Sequence, residues 1–404
     1  MKKILFVSYG GGHVNALLPI YERLVFSNIY ECNYLALTTA YQKVKNVNKC
    51  CFGFKDLIGD GDLYALKKGK ELVVNDTQNP LVSYNESVAY IGLSYMDLVK
   101  SFGETAASKK YKKYGRQAFY PIHTLKKYLS KNKPDLVVAT NSPRAERAVI
   151  DAAFQLGIPS ICLVDLFALQ EIAWIGKPGF ANKVCVISDA VRDKMMAAGR
   201  MADEVVVTGN PAFDYLSRYN DITSVRKFKK KKQWSNHERI VLWASAIEPE
   251  KHPFSDRVGD ILLPIKIEEE LVKLVRKNIN IRLVIRPHPN ESREFSQLPN
   301  GVEISRQEDD INELLPAVDC VVVTASTVGL QAALISKPLI NIKLSLFSKD
   351  APYDEMGFSM GVECLSELND RVIECLNANT KNNALPKVGE AGANVIKVID
   401  EMLY

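Results

Sequence analysis

Short, unbroken apolar runs alternate with stretches of helical spacing along most of this chain. Lys3 to Ser8 (KILFVS) leads into apolar residues at helical intervals from Val14 to Val25. Asn33 to Leu37, Asp135 to Ala139 (DLVVA), Ser160 to Val164 (SICLV), Lys183 to Ile187 and Glu204 to Thr208 continue the series, with a helical pattern from Arg144 to Leu156. Runs of Val, Ile and Leu without alternating polar positions predict parallel strands covered on both faces. A second series follows: Arg239 to Ala244 (RIVLWA), Ile281 to Ile285 (IRLVI), Gly301 to Ile304, Asp319 to Val323 (DCVVV) and Leu339 to Ile342. Helical patterns at Leu263 to Lys277, Ile311 to Pro316 and Val328 to Ile335 lie between those strands. Two such series predict an α/β protein of two Rossmann-like, doubly wound domains facing a cleft.

The polar stretch Asp214 to Glu238 separates the series. It divides the chain into a first domain over 1–218, a second over 238–385 and a terminal amphipathic helix within 386–404. Residues 55–115 are polar, rich in Tyr and Lys, and read as a helical insertion in the first domain.

Composition narrows the class. The chain has 404 residues, of which 47% are hydrophobic and 25% charged, so a sizeable core can be buried. The net charge of +5 is mild and concentrates in Arg226 to Lys232 (RKFKKKK), read as a solvated linker, and no nucleic-acid partner is expected. Lys109, Lys110, Lys112 and Lys113, with Tyr111 and Tyr114, form a second basic cluster. Both would suit an acidic or lipid-linked partner, or peripheral contact with an anionic membrane face. The eight cysteines are scattered without a CxxC pair. Cys32, Cys162, Cys185 and Cys320 read as buried hydrophobes, and neither a metal nor a cofactor is expected. The first apolar run spans about five residues, below the ~7–15 of a signal peptide, and nothing approaches the ~20 of a membrane span. A cytoplasmic enzyme is the expectation, at most held at the inner face of the membrane; oligomeric state is left open.

Candidate chemistry sits where strands end. Tyr9-Gly10-Gly11-Gly12-His13 joins the first strand to a helix; Gly11 and Gly12 would let a ligand approach the backbone, and His13 is placed for general-base work. Arg286-Pro287-His288-Pro289 follows IRLVI; Arg286 and His288 could neutralise phosphate oxygens, with Pro289 stiffening the loop. Ser326, Thr327 and Gly329 open a helix after DCVVV, where hydroxyls cap the helix or cradle a phosphate. Glu248 and His252 follow RIVLWA and are further donor or acceptor contacts. Asn210, in Thr208-Gly209-Asn210-Pro211, reads first as a turn.

These motifs resemble GT-B glycosyltransferases and their sugar-nucleotide 2-epimerase relatives. ILFVSYGGGHVNALLPI looks like the Gly-Gly-His acceptor-side loop of bacterial N-acetylglucosaminyltransferases, VVVTGNPAFD like the segment closing the first domain, and STVGLQAALISKPLI like the donor-site helix. The resemblance covers most of the chain outside 55–115. It implies an acceptor-side first domain, a donor-side second domain, and an inverting, metal-independent transfer from a nucleotide-sugar donor to a glycan or lipid-linked acceptor. In the relatives, acidic residues of the donor helix hold the ribose; here the stretch is Gly329-Leu330-Gln331-Ala332-Ala333, without a carboxylate. With the His-Pro motif and the Ser-Thr pair, this resembles bacterial capsule and lipopolysaccharide enzymes that use cytidine nucleotides. A CMP-sugar is therefore the favoured donor. By that resemblance His288 contacts the donor phosphate, Ser326 and Thr327 hold the phosphate or cytidine end, and His13 or Asp165 deprotonates the acceptor. The alternatives are a UDP-sugar transferase or UDP-N-acetylglucosamine 2-epimerase, and a non-catalytic interaction protein built on a degenerate GT-B fold.

Overall fold

The computed structural model describes residues 1–47, 50–73, 80–253, 255–291, 293–295, 297–306, 308–378 and 385–404. The chain forms two compact units, Met1–Ala212 together with Glu390–Tyr404, and Phe213–Gly389.

The first unit carries seven parallel strands: β1 (Lys3–Ser8), β2 (Glu31–Ala36), β3 (Cys51–Phe52), β4 (Leu136–Thr140), β5 (Ser160–Leu163), β6 (Lys183–Val186) and β7 (Val205–Val207). Their order is β3-β2-β1-β4-β5-β6-β7. The chain winds outward from β1, then returns to pair β4 on the other side of β1, with Val7 opposite both Leu35 and Ala139. That reversal opens a crevice at the carboxyl ends of β1 and β4, the place where such sheets bind ligands.

The second unit repeats the plan with six parallel strands: β8 (Arg239–Ala244), β9 (Ile281–Arg286), β10 (Val302–Ile304), β11 (Cys320–Val323), β12 (Leu339–Ile342) and β13 (Met360–Val362). Their order is β10-β9-β8-β11-β12-β13, so its reversal lies between β8 and β11. In both sheets the central strands are buried along nearly their whole length. That is why their sequences read as continuous apolar runs.

The stretch Asp214 to Glu238 is not a linker. It takes in the end of a 3₁₀ segment, Pro211–Arg218, and a helix, Ile222–Lys231, capped by the Asp221 carboxylate. Phe228 and Trp234 are buried against each other at 5.8 Å, and Lys232 pairs with Asp309 at 2.6 Å. The basic run is thus the solvated face of a helix belonging to the second unit. The terminal helix Ala391–Leu403 returns to the first unit. Val395, Val398, Ile399 and Leu403 join the core of that unit. Tyr30 donates to Asp400 at 2.6 Å and Asn394 donates to the Thr208 carbonyl at 3.2 Å.

Residues 55–115 form helices Leu63–Val73, Tyr84–Phe102 and Glu104–Tyr114; residues 74–79 lie outside the described residues. The first two of these helices cross closely. A Cβ on Gly69 would lie 2.1 Å from the Val88 carbonyl oxygen, and one on Gly92 would lie 2.1 Å from that of Ala65. The four cysteines expected to be buried are buried, and all eight are free thiols. No helix among the described residues is long and apolar enough to cross a membrane.

Candidate active site

The loop after β1 runs directly into the helix Gly12–Ser27. Gly11 caps that helix with φ 67°, a conformation in which a side chain would be strained. Gly10 is required for space, because a Cβ there would lie 1.7 Å from the Thr39 hydroxyl oxygen. Gly12 is exposed, and its Cα faces Asp165: a Cβ there would sit 3.5 Å from Oδ2.

His13 is half-buried, and its Nδ1 lies 3.7 Å from Asp165 Oδ2. That nitrogen is shielded from solvent and makes no hydrogen bond. Asp165 follows β5. Its own N–H donates to Asn141 Oδ1 at 3.1 Å, and its carbonyl accepts from Asn210 Nδ2 at 2.6 Å. Asn210 in turn accepts from the Ala212 N–H at 2.9 Å. Both asparagines are buried. Asn210 therefore fixes the backbone of Asp165 as well as turning the chain.

Sequence reasoning passed over Asn141, Glu146 and Arg144, all at or just after the end of β4. Glu146 is fully buried; its Oε1 accepts from the Tyr9 N–H at 2.7 Å and the Thr140 hydroxyl at 2.9 Å. Burial pushes its carboxyl above the ordinary value of 4.5, against the pull of His13 and of these hydrogen bonds. Glu171 is also pushed up, by burial and then by the nearby charge of Asp165. The Arg144 guanidinium lies 4.7 Å over the Tyr9 ring, whose hydroxyl bonds that of Tyr90 at 2.6 Å. One signal was available: T-N-S-P-R-A-E stands at the carboxyl end of a predicted central strand, the edge that carries ligands.

A cavity of about 400 Å³ is lined by Tyr9, His13, Arg144 and Thr38 from the sheet edge and by Tyr90 and Arg116 from the helical insertion and its end. Thr38 holds φ 52°, a left-handed conformation that costs a β-branched residue on the order of 1–2 kcal/mol. Such strain concentrates where a site needs a particular backbone.

In the second unit, many of the proposed donor-side groups are committed to structure. Arg286 Nη1 donates to the Ser305 hydroxyl and to the carbonyls of Asp309 and Arg306, tying β9 to the segment after β10. Burial lowers the pKa of its guanidinium. His288 Nδ1 accepts from the Asn290 N–H at 3.2 Å, so Nε2 carries the ring proton and is the donor this loop can offer. Pro289 is exposed beside it. Ser326 caps the helix Thr327–Leu334 by accepting from the Val328 N–H, and its carbonyl accepts from Tyr353 at 2.7 Å. Thr327 is exposed. Gly329 is buried where a Cβ would touch Tyr353 and Val323 at 3.0 Å, a packing reason for glycine. Gln331, in the stretch without a carboxylate, donates to the Tyr215 hydroxyl at 2.9 Å.

Glu248 and His252 are buried. Glu248 accepts from the Ser345 hydroxyl and the Leu346 N–H, each at 2.7 Å. His252 Nε2 lies 3.1 Å from both Asp350 and Arg257. Both residues fasten the 345–350 loop. Asp60-Gly61-Asp62 forms a 3₁₀ turn, where Asp62 accepts from the Gly59 N–H and faces Lys127 at 3.8 Å. Among the described residues no three His, Cys, Asp or Glu side chains cluster as cation ligands.

No protein-family profile matches the sequence, and no curated protein does. Solved structures do share the fold. The UDP-N-acetylglucosamine 2-epimerase of Neisseria meningitidis bound to UDP-GlcNAc is 14% identical, with TM-score 0.56, covering 99% of this chain and 100% of that one. The Staphylococcus aureus MnaA–UDP complex is 14% identical, with TM-score 0.56, covering 100% and 97%. The calicheamicin glycosyltransferase CalG4 is 12% identical, with TM-score 0.56, covering 100% and 98%. The chain has the GT-B-like architecture of these proteins, two parallel-sheet α/β units.

Proposed function

We propose that this chain is a glycosyltransferase acting on a nucleotide-activated sugar, with a UDP-sugar as donor. In this reading the second unit takes the nucleotide and the first supplies the catalytic base. The observation that carries it is the His13–Asp165 pair, whose carboxylate-bearing backbone is tied by two buried asparagines at the carboxyl edge of the sheet. Asp165 faces the imidazole and stabilises the imidazolium that forms when the other ring nitrogen takes the acceptor's hydroxyl proton. The acceptor oxygen then bonds to the anomeric carbon as the bond to the nucleotide phosphate breaks. His288, through Nε2–H, and Thr327 are the groups assigned to the departing phosphate.

The carboxylate-free donor helix favoured a cytidine nucleotide and a role in capsule or lipopolysaccharide synthesis. Structures of the same fold that hold UDP and UDP-GlcNAc support uridine instead. Calorimetry with UDP, CDP and CMP tests the donor: UDP binding is expected, exclusive binding of a cytidine nucleotide reverses the base assignment, and binding of none ends the enzymatic reading.

One observation favours a second reading, a 2-epimerase. Burial and the charge of Asp165 raise the pKa of Glu171 beside the proposed base, and structures of the same fold include UDP-N-acetylglucosamine 2-epimerases. UDP-N-acetylglucosamine incubated without acceptor separates the two, since only an epimerase makes its isomer.

A further inference from the structure

The cavity beside His13 has features that deprotonation of an acceptor does not require. Arg144 is half-buried at its rim, yet among the described residues it forms no ion pair with a carboxylate. Around it stand the Tyr9 ring face, the Tyr90 hydroxyl and the charge of the buried Glu146, whose Oε1 is already engaged by the Tyr9 N–H and the Thr140 hydroxyl. A cation withdrawn from water is ordinarily matched by an anion. It also stands at the start of the eleven-residue helix Ala145–Gln155, whose N-terminal dipole adds positive potential. Arg116 brings a second guanidinium to the same cavity. Among the described residues of the lining the one carboxylate, Glu86, is occupied: it accepts from the N–H groups of Phe54 at 2.8 Å and Lys55 at 3.0 Å.

We propose that this cavity is the acceptor subsite and that it recognises an acceptor bearing an oxyanion, a phosphate or a carboxylate, through Arg144 and Arg116. At about 400 Å³ it falls within the ~300–1,000 Å³ of small-molecule sites, room for an anionic monosaccharide rather than a bare ion. His13 lines the same cavity, so an anionic sugar held there by the arginines would bring a hydroxyl to the base. The helical insertion thereby selects the acceptor: Tyr90 is on its helix Tyr84–Phe102, and Arg116 follows its last helix. The word acceptor rests on the transferase reading; the binding of an oxyanion does not.

The test titrates the full-length protein, saturated with UDP, with glucose 1-phosphate, glucuronate and glucose. Both anions, or one of them, should bind, and glucose should not be detectable at the same concentrations. Preference between the two identifies phosphate or carboxylate. Arg144→Gln and, separately, Arg116→Gln should weaken the anion by about tenfold or more, while UDP affinity stays within about twofold. Arg144→Lys should recover part of the loss. Equal binding of glucose and the anions overturns the proposal, as does unchanged anion affinity in both glutamine variants. Failure of UDP to bind counts against the proposed donor alone, and the anion titration is then read without nucleotide.

Discussion

His13 Nδ1 faces Asp165 Oδ2 at 3.7 Å, and the two residues reach that position from strand ends 152 positions apart in the chain. Such a pair loses its base function if either partner is neutralised. His13→Ala should lower kcat by about 10²-fold or more, in the range of general-base contributions, with nucleotide affinity unchanged. Asp165→Asn should also lower kcat and spare nucleotide binding. Turnover kinetics beside calorimetry check both; wild-type kcat in His13→Ala would remove this residue from the chemistry.

Asn210 holds the Asp165 carbonyl through its side-chain amide. Asn210→Asp keeps the acceptor for the Ala212 N–H but cannot donate to the Asp165 carbonyl when ionised. It should lower kcat with little change in KM. Asn141→Ala leaves the Asp165 N–H without its partner and should cost about 1–3 kcal/mol in urea unfolding as well as activity. Full activity in Asn210→Asp would argue that the tether is only a turn.

Glu146 predicts a pH signature. Its folded pKa lies above its ordinary value of 4.5, so the folded protein binds more protons than the unfolded chain in the interval between them. The stability it contributes is complete below about 4.5 and is lost as pH rises through the folded pKa. Glu146→Gln removes that loss. The melting temperature of the variant minus that of the wild type should therefore increase from pH 4 upward through this interval. A difference independent of pH would count against a raised Glu146.

The Gly69–Gly92 crossing admits no side chain. Gly69→Ala or Gly92→Ala would press a methyl group onto a backbone carbonyl and should destabilise the protein by about 1–3 kcal/mol, read from urea midpoints. Because the helix Tyr84–Phe102 also carries Tyr90, acceptor KM should rise more than donor KM.

RIVLWA and IRLVI announced β8 and β9 because burial on both faces leaves only apolar residues. The same logic hid β13, three residues at a sheet edge of which only Val362 is buried, and the helix Ile222–Lys231, which buries the single side chain Phe228. His13 and Asp165 could be picked out because strand ends can be read from pattern. Glu146 could not: its role comes from burial and from a bond to the Tyr9 N–H, 137 positions away. Arg286, Glu248 and His252 were read as ligand contacts from residue type, but their partners lie on segments that only tertiary packing brings close.

The return of Ala391–Leu403 to the first unit has a consequence for synthesis on the ribosome. Most of the first unit is translated before the second, yet its core includes Val395, Val398, Ile399 and Leu403. It stays incomplete while all of Phe213–Gly389 is being made. The later-encoded unit is thus the first that can close its own core, and the earlier one must wait, with an apolar face of the helix Gly12–Ser27 uncovered, until Ala391–Leu403 has been made.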